Sequence, residues 1–152
     1  MISLFETYNK NLNDLSFELI RDEDRLTINL IYTNEVVGYI VVEHIINGFW
    51  MFNDYLSEDE YYEIFPNDQF YTIETIKVNP KERGNGFGKL LMKKAIEHIK
   101  STNVDRVYLN ASPTDGGINL HELVGFYKSF GFEIIPELDK WSENKEMLLK
   151  LS

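Results

Sequence analysis

The sequence has no cysteine, which excludes disulfide bonds, thiolate nucleophiles and cysteine-ligated metals and is compatible with a reducing compartment. It has no apolar run near the roughly 18 residues that cross a bilayer. Its start, MISLFETYNK, lacks the basic stretch and the long apolar run of a signal peptide. Basic side chains are scarce, since 15 Lys and Arg stand against 25 Asp and Glu and the formal charge is -10. We therefore expect a cytoplasmic protein, and the charge disfavours nucleic acid or a membrane surface as a partner.

The chain has the size and composition of one globular domain. Of its 152 residues, 43% are hydrophobic and 26% charged, so it can bury a core without disulfide or metal staples. We expect a single domain over residues 1–152. The charges are unevenly placed, because Asn47–Phe70 has six acidic residues and no basic ones, whereas Lys77–Lys100 holds seven of the fifteen Lys and Arg. The first segment suits a cation and the second an anion.

Hydrophobic periodicity predicts an α/β (α+β) fold. Strands are predicted for LSFELI, RLTINLIY and VVGYIVVEHI, which form an antiparallel meander, and again for FYTIETIKV, VDRVYLNA, FEII and EMLLKL. Helices are predicted over EDEYYEIF behind a capping box of Ser57 and Glu60, over Phe87 to about Ser101, and after a cap at Asn119, with Gly131 at C′. This order predicts a mixed sheet with helices packed on it and one strand–helix–strand crossover between parallel strands.

The segment VNPKERGNGFGKLL, Val78–Leu91, places three glycines at alternate positions behind Arg83: Gly84, Gly86 and Gly88. It is not the P-loop of nucleotide triphosphatases, because Arg83 stands where that motif needs its first glycine and Leu90 where it needs Ser or Thr. The dinucleotide-binding fingerprint fails as well, because its last glycine is missing. The segment therefore matches neither of these phosphate-binding motifs.

The same segment nevertheless suits a pyrophosphate. A strand end, a bend at Pro80 and a glycine turn bring several backbone N–H groups and a helix N-terminus to one point, and glycine lets a phosphate approach the backbone closely. Arg83 adds a fixed positive charge, and Lys89 is a nearby candidate for further phosphate contacts. The alternative is an ordinary strand-to-helix turn ahead of a lysine-rich, solvated helix face.

A longer pattern, V-x-P-x-x-R-x-x-G-x-G-x-x-L, runs through this segment at Val78, Pro80, Arg83, Gly86, Gly88 and Leu91. It resembles the acetyl-CoA loop of the GNAT superfamily of N-acetyltransferases. A second segment, FYKSFGF (Phe126–Phe132), is similar to that family's later L-Y-x-x-x-G-F signature, with Phe126 in place of the usual Leu. The resemblance implies a GNAT-like fold, in which a mostly antiparallel central sheet carries helices on both faces and has a central strand–helix–strand crossover.

The resemblance also implies acetyl-CoA as the acyl donor and transfer of its acetyl group to a primary amine by direct attack in a ternary complex. Backbone groups of Ile76, Lys77 and Val78 would hold the pantetheine and polarise the thioester carbonyl. The pyrophosphate would lie against Arg83, Gly84, Asn85, Gly86, Phe87, Gly88 and Lys89. Asn110 either contacts pantetheine or acceptor or is a turn residue. We expect no metal, because no two of the three histidines have ligand spacing with a carboxylate.

Two side chains are candidates for proton transfer. Tyr127 stands where the family usually has a tyrosine that donates a proton to the sulfur of CoA, although it also falls in an apolar helix stripe typical of a core tyrosine. Transfer from a free phenol of pKa near 10 to a thiol of pKa near 8.5 is uphill by roughly 2 kcal/mol. Glu74 stands where many members have a glutamate. It is a base, a residue that only binds the acceptor's positive charge, or a solvent-facing strand residue.

The chain departs from the family on the acceptor side. Most members have two helices between the first and second strands, where this sequence has only RDED, so that element is missing or shifted into the N-terminal lead-in. The insertion Asn47–Phe70 is the obvious substitute, with eight aromatics beside its six acids. Trp50, Tyr55 and Glu60 are its candidate acceptor contacts.

Carboxylates and aromatic faces suit an acceptor with several positive charges, such as a polyamine, an aminoglycoside or a basic peptide. The aromatics of the insertion otherwise form a subsidiary core or a homodimer contact. The alternative function is a non-catalytic acyl-CoA-binding sensor or interaction module on the same fold.

Overall fold

A seven-stranded sheet with the strand order β1-β2-β3-β4-β5-β7-β6 organises the fold. The structure is a computed structural model and describes residues 14–113, 118–141 and 143–152. The strands are β1 (Leu15–Asp22), β2 (Arg25–Tyr32), β3 (Glu35–Ile46), β4 (Gln69–Val78), β5 (Arg106–Ala111), β6 (Glu133–Ile134) and β7 (Lys145–Lys150). The helices are α1 (Glu58–Ile64), α2 (Phe87–Lys100), α3 (Leu120–Lys128) and α4 (Pro136–Asp139). The predicted fold class, a mixed and mostly antiparallel sheet with helices, is confirmed.

The predicted meander and the predicted crossover are both present. β1 pairs antiparallel with β2, and β2 with β3. Along β2, buried residues alternate with partly buried or exposed ones, which is the pattern of a strand with one face on a core. α2 connects β4 to β5, and these strands are parallel, with Tyr71, Thr72 and Ile73 paired with Val107, Tyr108 and Leu109.

Local capping signals locate two helix starts correctly. The Ser57 hydroxyl accepts a hydrogen bond from the Glu60 backbone N–H (3.1 Å), and the Glu60 carboxylate accepts one from the Ser57 N–H (2.9 Å), so the predicted capping box begins α1. The Asn119 side chain accepts from the Glu122 N–H (2.8 Å) at the start of α3. These pairs lie three residues apart in sequence, which is why local reasoning finds them.

The end of α3 differs from the prediction by one position. The helix ends at Lys128 with Ser129 as its C-cap, so Gly131 lies at C″ rather than C′, although it has the expected positive φ of 101°. The last carbonyls are satisfied by short-range bonds from the N–H groups of Phe130 and Gly131, which tighten the final turn. Sequence analysis did not predict α4 or the 3-10 helix Gly48–Met51, and it predicted only a bend at Pro80 where the structure has the 3-10 helix Pro80–Glu82.

The described residues form two compact units, whose boundaries fall within β3 and β4. One contains residues 14–43 and 74–102, and the other contains the described residues of 44–73 and 103–152. In the first unit, α2 packs against β2, and its buried residues include Leu91, Met92 and Ile99. In the second unit, a cluster of buried side chains forms around Phe52, Tyr61, Phe65, Phe70 and Tyr108.

Two further predictions concern residues that the structure does not describe. The N-terminal lead-in, one suggested position for the missing helices, and residues 114–117 of the SPTDGG loop lie outside the described residues. Among the helices that are described, none has the length and apolar composition that a membrane-spanning helix requires.

Candidate active site

The predicted phosphate loop connects the end of β4 to α2. At its start, the backbone N–H of Asn79 donates to the carbonyl of Val37 (2.9 Å), which ties the strand end to β3. The 3-10 helix Pro80–Glu82 then turns the chain, as the predicted bend at Pro80 requires. The side-chain amide of Asn85 donates to the Glu82 carbonyl (2.9 Å) and closes the turn. Hydrogen bonds of its own backbone and side chains therefore shape the loop.

Glycine is required at two positions of this loop. Gly84 has φ +85° and Gly86 has φ +78°, a left-handed conformation that other L-residues adopt only with strain. Gly86 is also the N-cap of α2 and has no side chain to cap the first turn, so the N–H groups of the first helical residues point outward without a helical acceptor. A Cβ at Gly84 would meet no atom within 4 Å, so the space beside the loop is open.

The loop combines outward N–H groups with positive charge. Arg83 and Lys89 are exposed, Gly88 lies in the first turn of α2, and Phe87 is buried with its ring 6.2 Å from that of Tyr32. Phe87 therefore anchors the helix start, while the polar groups remain outside. A helix N-terminus with oriented amides and adjacent cations is a favourable environment for an anion of two or more charges. The residues present fit the pyrophosphate of CoA.

The end of β4 passes close to β3. Ile76 and Val78 are partly buried and Lys77 is exposed. A Cβ on Gly38 would lie 2.8 Å from the Lys77 carbonyl oxygen and 3.2 Å from Leu91 Cδ1, so only glycine fits there. Sequence reasoning missed Gly38, which looks like any glycine inside a strand. A glycine interrupting the β-branched run VVGYIVV was the available signal.

Glu74 is exposed on β4 and is held by an arginine of β2. Arg25 Nε donates to Glu74 Oε2 (2.7 Å) and Arg25 Nη2 to Glu74 Oε1 (2.9 Å), so the guanidinium binds both carboxylate oxygens. Arg25 Nη2 also lies 3.7 Å from Glu43 Oε2 on β3. Desolvation, and then the charge of Glu74, raises the pKa of Glu43. Neither Arg25 nor Glu43 was predicted, because their contact depends on the register of β2 against β3, which pairs them directly.

Tyr127 lies in α3, in the second unit, and is buried. Its ring makes edge-on contacts with Phe126 (centroids 5.4 Å apart) and Phe132 (6.1 Å). Burial raises the pKa of the Tyr127 phenol, so the hydroxyl keeps its proton throughout the neutral range. Asn110 is exposed on β5, opposite Glu146 of β7.

The aromatic side chains of the insertion divide into a core set and an exposed set. Phe52, Tyr61, Phe65 and Phe70 are buried in one cluster, with Phe49 packed against it. The Tyr61 hydroxyl accepts from the Gly48 N–H (3.1 Å) and donates to Asp68 Oδ1 (2.8 Å), which ties both ends of the insertion together. The subsidiary core considered from sequence is therefore real for five of the eight aromatics.

The exposed set is Trp50, Tyr55 and Tyr62, whose exposed fractions are 66%, 48% and 45%. The Tyr55 ring lies 6.0 Å from that of Trp141, another exposed aromatic. Glu60 is partly buried by its part in the capping box, and the hydrogen bond from the Ser57 backbone lowers its pKa, so it carries a negative charge. Within the described ranges, no group of three or more His, Asp or Glu side chains could hold a metal ion.

Comparison with known proteins finds a relative by sequence. The [ribosomal protein bS18]-alanine N-acetyltransferase of Haemophilus influenzae is 25% identical over 104 residues, which are 68% of this chain and 56% of that protein. The chain thus matches just over half of the relative's length.

Solved structures share the fold. A GNAT family acetyltransferase from Elizabethkingia anophelis with acetyl-CoA bound has a TM-score of 0.59 at 13% identity and covers 91% of this chain and 99% of its own. Arabidopsis thaliana Naa50 in complex with the bisubstrate analogue CoA-Ac-MVNAL has a TM-score of 0.54 at 21% identity, with 82% and 72% covered. At these identities the likeness concerns the fold alone.

The family assignment comes from a different comparison, with models of whole protein families. The model described as the acetyltransferase (GNAT) family matches residues 2–132, which include the glycine loop and the FYKSFGF segment. The strand order and the glycine loop at the start of α2 agree with that match. This chain belongs to the acetyltransferase (GNAT) family.

Proposed function

We propose that the protein transfers the acetyl group of acetyl-CoA to a primary amine by direct attack in a ternary complex. The observation that carries the proposal is the loop between β4 and α2, where two left-handed glycines, outward N–H groups and two exposed cations fit a pyrophosphate. In this proposal residues 1–152 form one catalytic domain, because the family model extends over parts of both compact units.

The donor would be held mainly by backbone groups. In this proposal Arg83 and Lys89 neutralise phosphate charge, the N–H groups of residues 84–89 bind phosphate oxygens, and the strand end Ile76–Val78 binds the pantetheine through its peptide groups. Asn110 is a further candidate contact. The close approach of β3 at Gly38, where a Cβ would lie 2.8 Å from the Lys77 carbonyl oxygen, constrains the backbone of this strand end.

Tyr127 would act as a hydrogen-bond donor to the sulfur of CoA as the thioester breaks. Its raised pKa keeps the phenol neutral, and it makes full proton transfer to a thiolate less favourable than the transfer from a free tyrosine. Donation of a hydrogen bond stabilises the leaving thiolate without that cost, and the thiolate then takes its proton from water.

The acceptor would carry more than one positive charge, with a charge other than that of the reacting amine bound at the insertion. The names of two comparison proteins refer to protein amines, an alanine of a ribosomal protein in one and the peptide portion of a bisubstrate analogue in the other. In this chain, exposed Trp50 and Tyr55 and the ionised Glu60 offer aromatic faces and negative charge, which together suit an ammonium group. A polyamine, an aminoglycoside and a basic peptide remain the candidate acceptors.

The test is release of free CoA thiol from acetyl-CoA with a panel of amines: spermidine, kanamycin, a peptide with a free α-amino group and a lysine-rich peptide. Trp50→Ala and Glu60→Gln should each raise the acceptor KM and leave the acetyl-CoA KM nearly unchanged. Glutamine can replace glutamate in a capping box, so Glu60→Gln removes the charge and keeps the helix start. Ser57→Ala is the matched control, because it removes the capping contact and keeps the charge. Equal effects on both KM values would contradict the acceptor assignment.

One observation favours a second candidate function, a non-catalytic acyl-CoA-binding module. The Glu74 carboxylate is already engaged by Arg25 through both oxygens, as expected of a structural ion pair. Binding of CoA without turnover of any panel amine would support that module over the enzyme. Failure to bind CoA would exclude both functions.

A further inference from the structure

Three charged side chains from three strands meet in the first compact unit. Arg25 of β2 binds both carboxylate oxygens of Glu74 of β4, and it lies 3.7 Å from the nearer carboxylate oxygen of Glu43 of β3. The Glu74 and Glu43 side chains are 31% and 29% exposed, so water reaches both. One guanidinium therefore faces two carboxylates, and the trio has a net charge of about −1 at neutral pH.

Arg25 treats the two carboxylates differently. The paired hydrogen bonds to Glu74 are a charge-assisted, bidentate contact, which fixes orientation as well as position. A proton on either Glu74 oxygen would displace one of these N–H donors. Glu43 has no such fork, since its nearer oxygen lies beyond hydrogen-bond distance from Nη2. The geometry fixes the orientation of the Glu74 carboxylate and leaves the Glu43 carboxylate outside the hydrogen bonds of the Arg25 fork.

The position of Glu74 connects the trio to the proposed reaction. Glu74 lies two residues before Ile76 and four before Val78 on β4, so all three side chains share one face of the strand. The backbone of Ile76–Val78 is the segment to which we assign the pantetheine. Arg25 and Glu43 are a direct cross-strand pair, on the side of β2 opposite the buried Leu26.

We propose that Arg25 is a positioning residue that gives the two carboxylates different roles. Glu74 binds the ammonium group of the acceptor, and Glu43 takes the proton that the amine must lose. The step is R–NH3⁺ plus the Glu43 carboxylate giving R–NH2 plus the neutral Glu43 carboxyl. That proton then passes to water at the exposed edge of Glu43, and the neutral amine attacks the thioester carbonyl. The C–N bond forms, the C–S bond breaks with CoA leaving as a thiolate, the nitrogen loses its excess proton to water, and the thiolate takes a proton from water. This inference rests on the proposed acetyl transfer, and it decides between the two roles left open for Glu74.

The charges around Glu43 support this division. Desolvation and the negative charge of Glu74 raise the pKa of Glu43, and Arg25 lowers it. A side-chain hydrogen bond with Glu74 and the charge of Asp24 in the β1–β2 turn raise it further. The hydrogen bond and the charge of Glu74 raise the pKa of Arg25, and the charges of Glu43 and of Asp22 on β1 raise it further. A raised carboxyl pKa reduces the difference between that pKa and the pKa of an ammonium group, which makes Glu43 a better proton acceptor than an ordinary glutamate.

The experiment measures kcat and the acceptor KM against pH, with the panel amine that the wild-type protein acetylates with the highest kcat/KM. Glu74→Gln should raise the acceptor KM about ten-fold, since a contact with a charged group contributes on that order. It should keep the acid limb of the pH profile, the fall in kcat at acidic pH, but move it to lower pH, because the charge of Glu74 raises the pKa of Glu43. Glu43→Gln should lower kcat about a hundred-fold and remove the acid limb. Glu35→Gln is the matched control, because it removes an exposed glutamate charge at the other end of β3.

The positioning role of Arg25 is tested by comparing its variants with Glu74→Gln. Arg25→Ala should raise the acceptor KM as Glu74→Gln does. The double variant should have an acceptor KM no higher than that of Glu74→Gln alone, because in this proposal Arg25 affects acceptor binding only through Glu74. Arg25→Lys should recover part of the effect, since it restores the charge without the fork. A CoA-dependent rise in Tm for each variant confirms that the donor site is folded.

The outcomes separate this inference from the proposed function. Wild-type turnover together with loss of the acid limb in Glu74→Gln would show that Glu74 is the base, and it would overturn the inference while acetyl transfer stands. The inference would also be overturned if Glu43→Gln had the same kinetics as Glu35→Gln. It would be overturned as well if Arg25→Ala and Glu74→Gln had additive effects on the acceptor KM. Absence of wild-type turnover on every panel amine would refute both.

Discussion

Replacing Gly84 with alanine tests the phosphate loop through a single backbone torsion. Gly84 has φ +85°, and a Cβ there would meet no atom within 4 Å. The substitution therefore introduces no steric clash, and its whole effect is the strain of an L-residue in the left-handed region, about 1–2 kcal/mol. The loop responds in one of two ways: it keeps its shape and loses stability, or it relaxes and moves the N–H groups that follow.

The size of each response can be estimated for a chain of this length. For about 150 residues, 1 kcal/mol corresponds to roughly 2–4 °C in Tm, so retained strain should lower Tm by about 2–8 °C. A relaxed loop should instead weaken CoA binding. At a CoA concentration of about 100 times the wild-type Kd, binding stabilises the folded protein by about 2.7 kcal/mol. A ten-fold weaker variant keeps only about half of that stabilisation.

The assay is thermal unfolding with and without CoA, together with the acetyl-CoA KM from thiol release. Gly84→Asn should lie closer to wild type than Gly84→Ala, because asparagine tolerates the left-handed region better. Gly125→Ala is the matched control: Gly125 is an exposed helical glycine with no atom near its Cβ, so alanine there should stabilise by roughly 0.5–1 kcal/mol and leave CoA binding alone. If Gly84→Ala changes neither Tm nor CoA affinity, the loop does not bind pyrophosphate in this conformation.

Two further predictions concern the insertion and the charged trio. Tyr61→Phe removes the hydroxyl that links Gly48 to Asp68 and should lower stability by about 2–4 kcal/mol without changing the acetyl-CoA KM; an unchanged Tm in thermal unfolding would contradict the network. Glu43 should titrate above the ordinary glutamate range when followed by carboxyl-carbon NMR. Glu74→Gln should lower the pKa of Glu43, because it removes a negative charge, and Arg25→Ala should raise that pKa, because it removes a positive charge. Because the folded pKa is raised, this group's contribution to stability is present at low pH and lost as pH rises through that pKa.

Much of the architecture was predictable because its causes are local. The capping box of Ser57 and Glu60 and the cap at Asn119 involve residues three apart, and the structure contains all of these contacts. The glycine loop could be separated from other phosphate motifs by counting positions, and the family match covers it. The one-position error at Gly131 arose because helix ends depend on which carbonyls find short-range donors.

The insertion shows where composition stops being informative. From sequence, its eight aromatics are equally compatible with an acceptor surface and with a core. Only their burial in the structure assigns Phe52 and Tyr61 to the core and Trp50 and Tyr55 to the surface. The sequence predicts Glu60 both as a capping-box residue and as an acceptor contact, and the structure contains the capping contact. Periodicity does not resolve such a segment, because its short helices leave too few turns to define a buried face.

The sequence by itself determined the fold class, the order of the elements and the loop suited to a pyrophosphate, because hydrophobic period, caps and glycines act over a few residues. Only the tertiary structure decided the surroundings of Glu74. Arg25 lies 49 residues from it in sequence, and Glu43 joins them through the register of β2 against β3. A one-residue slip in that register would turn these side chains to the other face of the sheet, so the contact exists only once three strands have paired.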